Sequence, residues 1–473
     1  MRSEPRAKRQ MGVWAATAVV IGEAISLGIF LTPAEMAKSL GSPLLLGAVW
    51  LGMSAMTLAG ALCFTELAVR NPFDGGEYLY LRRGFGRRAA FLYGWMAAMV
   101  MYPGVAASLC VGLVPYAQAL FPLPARAAMA LPASILLGLG ALNYFGARLS
   151  SEAVTAVNWL KVTLLAALVG WAAVSGHATA ANLEPLAARR PGSDPLAGAI
   201  AGAAVSAFFC FGGWWEAGKI AGEVRNPRRT LPIAFAGGVG VVTAVYLLLS
   251  FAFAAVVPMQ QIQSNSAFVA LFGQALFGAA GGRVLAACVL LCVLGGLMVL
   301  SMAVPRVTYA LAREEAADRD GLLAAFGRLH PRFGSPANAV LLQTAVAVLV
   351  LTLGAFDRIL AFIIFSAVVF LALTAATLFR IGKTHPGAAD ERSGGALGPA
   401  RGWWYPAAPI VFLAGCAVLA AMLLLHSPIP SSIGAAVVLA GLPMRWLLVR
   451  RSSSEPSPES ESRVVAEADY DIS

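Results

Sequence analysis

From residue 12 to residue 449 the chain is a succession of apolar runs, each close to the roughly 20 residues that carry a helix across a bilayer. Twelve runs fall at about 12–38, 42–69, 87–120, 127–146, 152–175, 195–222, 231–257, 280–312, 336–355, 357–381, 403–425 and 429–449. In lipid every backbone N–H and C=O needs an internal partner, and runs of this length meet that demand as helices. The fold class expected is all-α integral membrane, with 12 transmembrane helices. Only 12% of the residues are charged, against about a quarter in soluble domains, which excludes a string of soluble domains.

The charges orient the runs. Arg70, Arg82, Arg83, Arg87 and Arg88 follow the second run, and Arg225, Arg228 and Arg229 follow the sixth. Arg313, Arg319, Arg328 and Arg332 follow the eighth, and Arg380, Lys383, Arg392 and Arg401 the tenth. With the basic start (Arg2, Arg6, Lys8, Arg9) and Arg450–Arg451 they share one face, which is then cytoplasmic. Arg189–Arg190 are the chief exception on the other face. An even number of spans puts both termini inside, in a multi-pass protein of the plasma (inner) membrane. This distribution accounts for the net charge of +10 and excludes nucleic-acid binding. The basic start followed by an apolar run has the look of a signal peptide, but the run continues through a glycine and Pro33 and is kept as the first span. Residues 1–11 read as a cytoplasmic tail, 451–473 as a disordered one rich in Ser and Glu, and 392–401 as a flexible linker.

No residue set for catalysis or metal binding emerges. The six cysteines all lie in apolar runs, where Cys behaves as a small hydrophobe. Cys288 and Cys292 share a helix face without a His or third Cys to complete a metal site. The four histidines are scattered and no carboxylate pair is present, so neither an enzyme nor a cofactor is expected. Gly213 to Lys219 has the spacing of a phosphate loop, but Ile220 replaces the Ser/Thr and the stretch lies in a span.

Two interruptions carry the functional reading. Gly212–Gly213 fall at the middle of the sixth run, and Ser26-Leu27-Gly28, followed by Pro33, fall in the first. Glycines in membrane helices also mark close packing. One break opening each half of the chain, however, is the pattern of a transporter site. The helix start after a break offers amides to an anion, and the helix end before it offers carbonyls to a cation. A site with one of each suits a zwitterion, of which an amino acid is the simplest.

The residues now permit a comparison with a known family. Ile25 to Phe30 with Thr32-Pro33 resembles the Ile-Gly-Ser-Gly-Ile-Phe first-helix motif of the amino acid–polyamine–organocation (APC) superfamily. Glu66-Leu67-Ala68 with Gly75 to Tyr80 resembles its Gly-Gly-x-Tyr-x-Tyr loop. Phe209 to Trp214, Glu223, Asn226-Pro227 and Leu231-Pro232 follow its sixth-helix pattern, and Arg306, Tyr309, Ala312-Arg313 and His330-Pro331 its eighth. The resemblance spans nearly all of residues 12–450 and is closest to the L-type and cationic amino acid permeases. It implies a LeuT-type 5+5 inverted repeat with helices 1 and 6 broken: repeat one 12–175, repeat two 195–381, extra helices 403–449. It also implies alternating access.

By position, the resemblance puts the substrate carboxylate on the Leu27 and Gly28 amides, beside Ser26. Its ammonium falls on carbonyls of Ala24 or Ile25, Phe209 and Gly212, next to Gly213. Trp214 and Trp215 become gate or side-chain-pocket residues. Lys161 resembles the fifth-helix lysine that stands in for sodium in sodium-independent members. The motif differs at Ser26-Leu27, where bulky Leu27 implies a narrower, more apolar floor. Function read this way is secondary active transport of amino acids or related small amines, sodium-independent, by proton coupling or exchange. The alternatives are a polyamine carrier and, favoured by Leu27, a non-transporting substrate sensor. The partners are then a small-molecule substrate and the bilayer, for a monomer or homodimer.

Ionisable groups at bilayer depth are expensive and point to function. Glu23 and Lys161 are expected to pair near the cation position; burial raises a carboxyl pKa and a neighbouring lysine lowers it. Glu216 and Lys219, at i and i+3, either pair on the helix surface with Lys219 reaching the interface, or Glu216 helps to select cationic substrates. Glu66 and Glu223 are expected at cytoplasmic helix ends, within reach of loop arginines.

Overall fold

The computed structural model describes residues 11–25, 27–70, 76–146, 151–215, 224–258, 268–315, 322–380 and 404–449. The tail at 451–473, the amino-terminal tail up to residue 10 and the linker at 392–401 lie outside the described residues. Where described, the chain is helical but for turns and one isolated parallel bridge, Met11 to Val224. There the Arg225 amide donates to the Met11 carbonyl at 2.8 Å.

The first apolar run holds α1 (Val13–Ala24), a 3₁₀ turn (Leu27–Phe30) and α2 (Pro33–Leu40). The second is α3 (Pro43–Arg70), with α4 (Gly76–Phe85) in the following connection. The third divides into α5 (Arg87–Met96), a π turn (Ala97–Met101), α6 (Tyr102–Gly112) and α7 (Val114–Leu120). Then come α8 (Ala125–Tyr144), α9 (Ser151–Val174), α10 (Leu196–Phe211) and α11 (Pro227–Val256). After them run α12 (Phe268–Glu315), α13 (Leu322–Phe326), α14 (Ala337–Val350) and α15 (Phe356–Ala376). The last two are α16 (Ala407–His426) and α17 (Pro428–Val449).

Each expected run therefore contains helix. Among the described residues, 7 helical stretches are long and apolar enough to cross a membrane. Four shorter apolar helices, among them Leu196–Phe211 and Lys161–Val174, accompany them. One element was not foreseen: α12 begins at Phe268, and Gly278, at φ 71°, joins an added segment to the expected run at 280.

The helices pack in recognisable sets. α11 lies against α1 and α3, and α10 against α2 and α3. On the other side α14 packs on α6, α8 and α12, while α15 holds α16 and α17. Close approach rests on small residues, as in membrane helices generally. A Cβ on Gly60 of α3 would come within 2.5 Å of Phe412 and 2.8 Å of Trp214, and one on Gly104 of α6 within 2.4 Å of Ile363.

The π turn has a traceable cause. The Tyr102 amide reaches back five residues to the Ala97 carbonyl. In that register the next donor, for Ala98, would be residue 103, and Pro103 has no N–H. The orphaned Ala98 carbonyl is met from another helix: buried Gln343 of α14 donates Nε2 to it at 3.1 Å, and to Thr308 Oγ1 at 3.0 Å. Gln343→Leu keeps the volume and removes the donor, so the carbonyl is stranded in an apolar interior. The expected loss is roughly 1–3 kcal/mol, read as a lower midpoint of thermal unfolding in detergent; an unchanged midpoint would refute this account of the π turn.

Candidate functional site

Both interruptions are present in the backbone. α1 ends at Ala24, Ile25 leaves the helical region at ψ 75°, and helix resumes at Pro33. Proline suits that place, since a first-turn residue needs no intrahelical N–H partner. α10 ends at Phe211, with Gly212 extended (φ −53°, ψ 147°) and Gly213 at φ 101°, where a side chain is strained. Gly212 and Gly213 thus serve as a break, in addition to any role in packing.

The two breaks meet. α2 packs on α10, and the Leu27–Phe30 turn touches both α10 and α12. The Thr32 hydroxyl, just before α2, lies 2.8 Å from the Cys210 thiol in the last turn of α10. Main-chain groups released by the breaks find side-chain donors. Tyr246 of α11 donates to the Cys210 carbonyl at 2.8 Å, and Tyr116 of α7 donates to the Phe30 carbonyl. The Gly28 carbonyl takes the amides of Leu31 and Thr32 at 2.8 and 2.9 Å, and the Phe209 carbonyl that of Gly212 at 3.1 Å.

Lys161 of α9 is 7% exposed and donates Nζ to the Gly22 carbonyl in the last turn of α1, at 3.1 Å. A cation at a helix carboxyl end is favourably placed, because the terminal carbonyls carry the negative end of the dipole. The side chain of the expected partner Glu23 lies outside the described residues, as do the side chains of Ala24 and Leu27. Ser26, Glu216, Lys219 and Glu223 are outside them altogether. Ile25 and Gly28 are buried at the first break, and Glu66 is buried in α3.

Trp214 and Trp215 are 2% and 5% exposed. Trp214 meets Phe64 and Phe412 edge-on at 5.0 and 6.2 Å, so it is wedged between α3 and α16. Trp215 folds back across the break and stacks on Phe208 at 6.1 Å. Phe209 meets Phe356 of α15 edge-on at 6.0 Å. A separate cavity of about 50 Å³ is bordered by Tyr102, Gly140, Asn143, Ser301 and Gln343, away from both breaks.

Sequence reasoning missed Thr32, Cys210, Tyr116 and Tyr246 as the groups that close the broken ends. Tyr116 and Tyr246 carried a usable signal: a tyrosine buried among helices usually brings its hydroxyl to a partner. Chemically the arrangement offers helix-start amides at the first break and helix-end carbonyls at both, with one fixed ammonium nearby. Helix-start amides attract anionic groups and helix-end carbonyls cationic ones, and no metal-binding cluster is present among the described residues.

The chain matches the amino acid permease family over residues 11–444. It is 25% identical to the serine/threonine exchanger SteT of Bacillus subtilis (strain 168), over 94% of this chain and 98% of that protein. It is 27% identical to the large neutral amino acids transporter small subunit 2 of Mus musculus, over 93% of this chain and 81% of that protein. The Asc-type amino acid transporter 1 of Mus musculus matches at 27%, over 93% and 81%.

Substitutions at the second break separate backbone strain from crowding. Gly213→Ala forces a side chain into the positive-φ region, with an expected cost of roughly 1–3 kcal/mol. Gly212→Ala places a Cβ 3.0 Å from the Phe209 carbonyl at an ordinary φ and should cost less. Thermal unfolding of the two variants in detergent checks the order.

Proposed function

The chain belongs to the amino acid permease family, a family of transporters and not of enzymes, and on that premise we propose that it is a secondary active transporter of amino acids or related small amines. It works by alternating access across the plasma (inner) membrane, with both termini cytoplasmic and 12 spans. Sodium does not drive it; proton coupling or exchange does. The fold is a LeuT-type 5+5 inverted repeat, residues 12–175 and 195–381, with two further helices at 403–449, in a monomer or homodimer.

One observation carries this reading: the first and sixth apolar runs both lose their helix midway, and the restart of one packs on the end of the other. The pairing of α3 with α11, the second and seventh runs, supports the repeat, as does that of α8 with α14, the fourth and ninth. The substrate carboxylate sits on the Leu27 and Gly28 amides, and its ammonium on carbonyls of Ala24 or Ile25, Phe209 and Gly212. Trp214 and Trp215 cover the second break, Ser26 and Gly213 are the further candidates for substrate contact, and Glu216 is the candidate for ion coupling or cation selection. Lys161 supports sodium independence, because its ammonium occupies a helix-end carbonyl that a bound cation would otherwise use. Glu23 is the proton acceptor on this reading.

Leu27, where the family motif has a small residue, favours a second reading as a substrate sensor without flux. Purified protein in liposomes, offered a panel of labelled amino acids and polyamines, decides between them. Uptake of an amino acid without sodium, and its rise with an inward proton gradient or with internal amino acid, is the expected result. Thermal stabilisation by substrate with no flux would select the sensor. Lys161→Ala and Gly212→Leu should each lower uptake by about tenfold or more; variants with unaltered uptake would remove the site assignment.

A further inference from the structure

Arg189 and Arg190 stand where the charge pattern disfavours them, outside the membrane on the proposed topology. The structure shows what they hold. Arg189 donates Nε to the Leu40 carbonyl and Nη2 to the Ser39 carbonyl, both at 3.0 Å, and Nη2 also to the Asp194 carbonyl. Arg190, 5% exposed, donates Nη1 to the Gly41 carbonyl at 3.2 Å. Its Nη2 reaches the carbonyls of Glu184 at 2.9 Å and Asn182 at 3.3 Å, and its own amide meets Gly41 again at 3.1 Å. Ser39, Leu40 and Gly41 are the carboxyl end of α2, so two guanidiniums cap the half-helix that follows the first break.

The cap is built into its surroundings. Gly41 takes φ 64°, and a Cβ there would lie 1.8 Å from Ser193 Oγ, so the loop can close on α2 only at a glycine. Ser42 Oγ and the Leu44 amide both donate to the Leu186 carbonyl, at 2.9 and 3.1 Å. Asn182 and the Thr179 amide donate to the Ala255 carbonyl, at 2.8 and 3.0 Å, tying the same loop to the end of α11. The loop then leads through Pro195 into α10.

α2 has 8 residues and is therefore only about 12 Å long. Its other end carries Thr32 and the Leu27–Phe30 turn. A rigid rod that short transmits a shift at one end as a tilt at the other. We propose that Arg189 and Arg190 are positioning residues for transport: by capping α2 they set the height and tilt of the turn that receives the substrate carboxylate. This rests on the carrier reading given above. Among the described residues every acceptor of both side chains is a main-chain carbonyl, not a carboxylate, so the clamp is a set of charge-to-dipole bonds that salt screens little.

The test uses the full chain in two measurements. In detergent, hydrogen exchange is followed in Arg190→Gln, in Arg189→Gln/Arg190→Gln, and in Arg126→Gln, which removes an exposed arginine at the start of α8. Amides of 33–44 should exchange about tenfold faster or more in the first two, with α15 and the Arg126 variant unchanged. In liposomes, uptake of labelled L-serine and L-leucine gives KM and maximal rate. The clamp variants should raise KM about threefold to tenfold, equally at low and high salt, with partial recovery in Arg190→Lys. A role confined to folding would lower the amount of active protein and leave KM alone, which overturns the proposal. So does unchanged exchange over 33–44. Wild-type protein that moves nothing in the panel of amino acids and polyamines overturns the carrier reading itself and the inference with it.

Discussion

Main-chain hydrogen bonding in a medium without water is the constraint on which this structure depends. A helix interrupted inside the hydrocarbon layer strands N–H and C=O groups, each costing several kcal/mol if left alone. The chain answers with long polar side chains from other helices. Tyr116 serves Phe30, Tyr246 serves Cys210, Lys161 serves Gly22, and Gln343 serves Ala98 at the π turn. The interruptions are thus supported positions in a packed interior.

Sequence and structure diverge in an orderly way. Apolar helices were legible because apolarity over some 20 residues is a local property, and the two breaks because glycine and proline act on their own backbone. Gly213 at φ 101° and Pro33 at the start of α2 are such cases. The partners of the broken ends were not legible. Thr32 and Cys210 are 178 residues apart and Tyr116 and Phe30 are 86, so no periodicity links them. The π turn was hidden for a related reason: Pro103 announces an irregularity, but its form depends on Gln343, far along the chain. Nor could the helical segment that begins at Phe268 be separated from loop, since only the glycine at 278 marks its junction.

The candidate site gains from this view. A fixed ammonium at the end of α1 and hydroxyls on the released carbonyls leave few main-chain groups for a ligand, which narrows what it can be. The aromatic rings of Phe208, Phe209, Trp214 and Trp215 form an apolar surround in which any charge is weakly screened.

The π turn has a consequence for how this span is compared with others. Closing a ring one residue wider amounts to an insertion, and one residue corresponds to about 100° of rotation about the helix axis. Residues after Met101 therefore face directions that a regular numbering from Arg87 would assign to their neighbours. Aligned without a gap against a span that lacks the extra residue, Tyr102 onward would be matched to the wrong wall of the bundle, and inward-facing positions would be mistaken for lipid-facing ones.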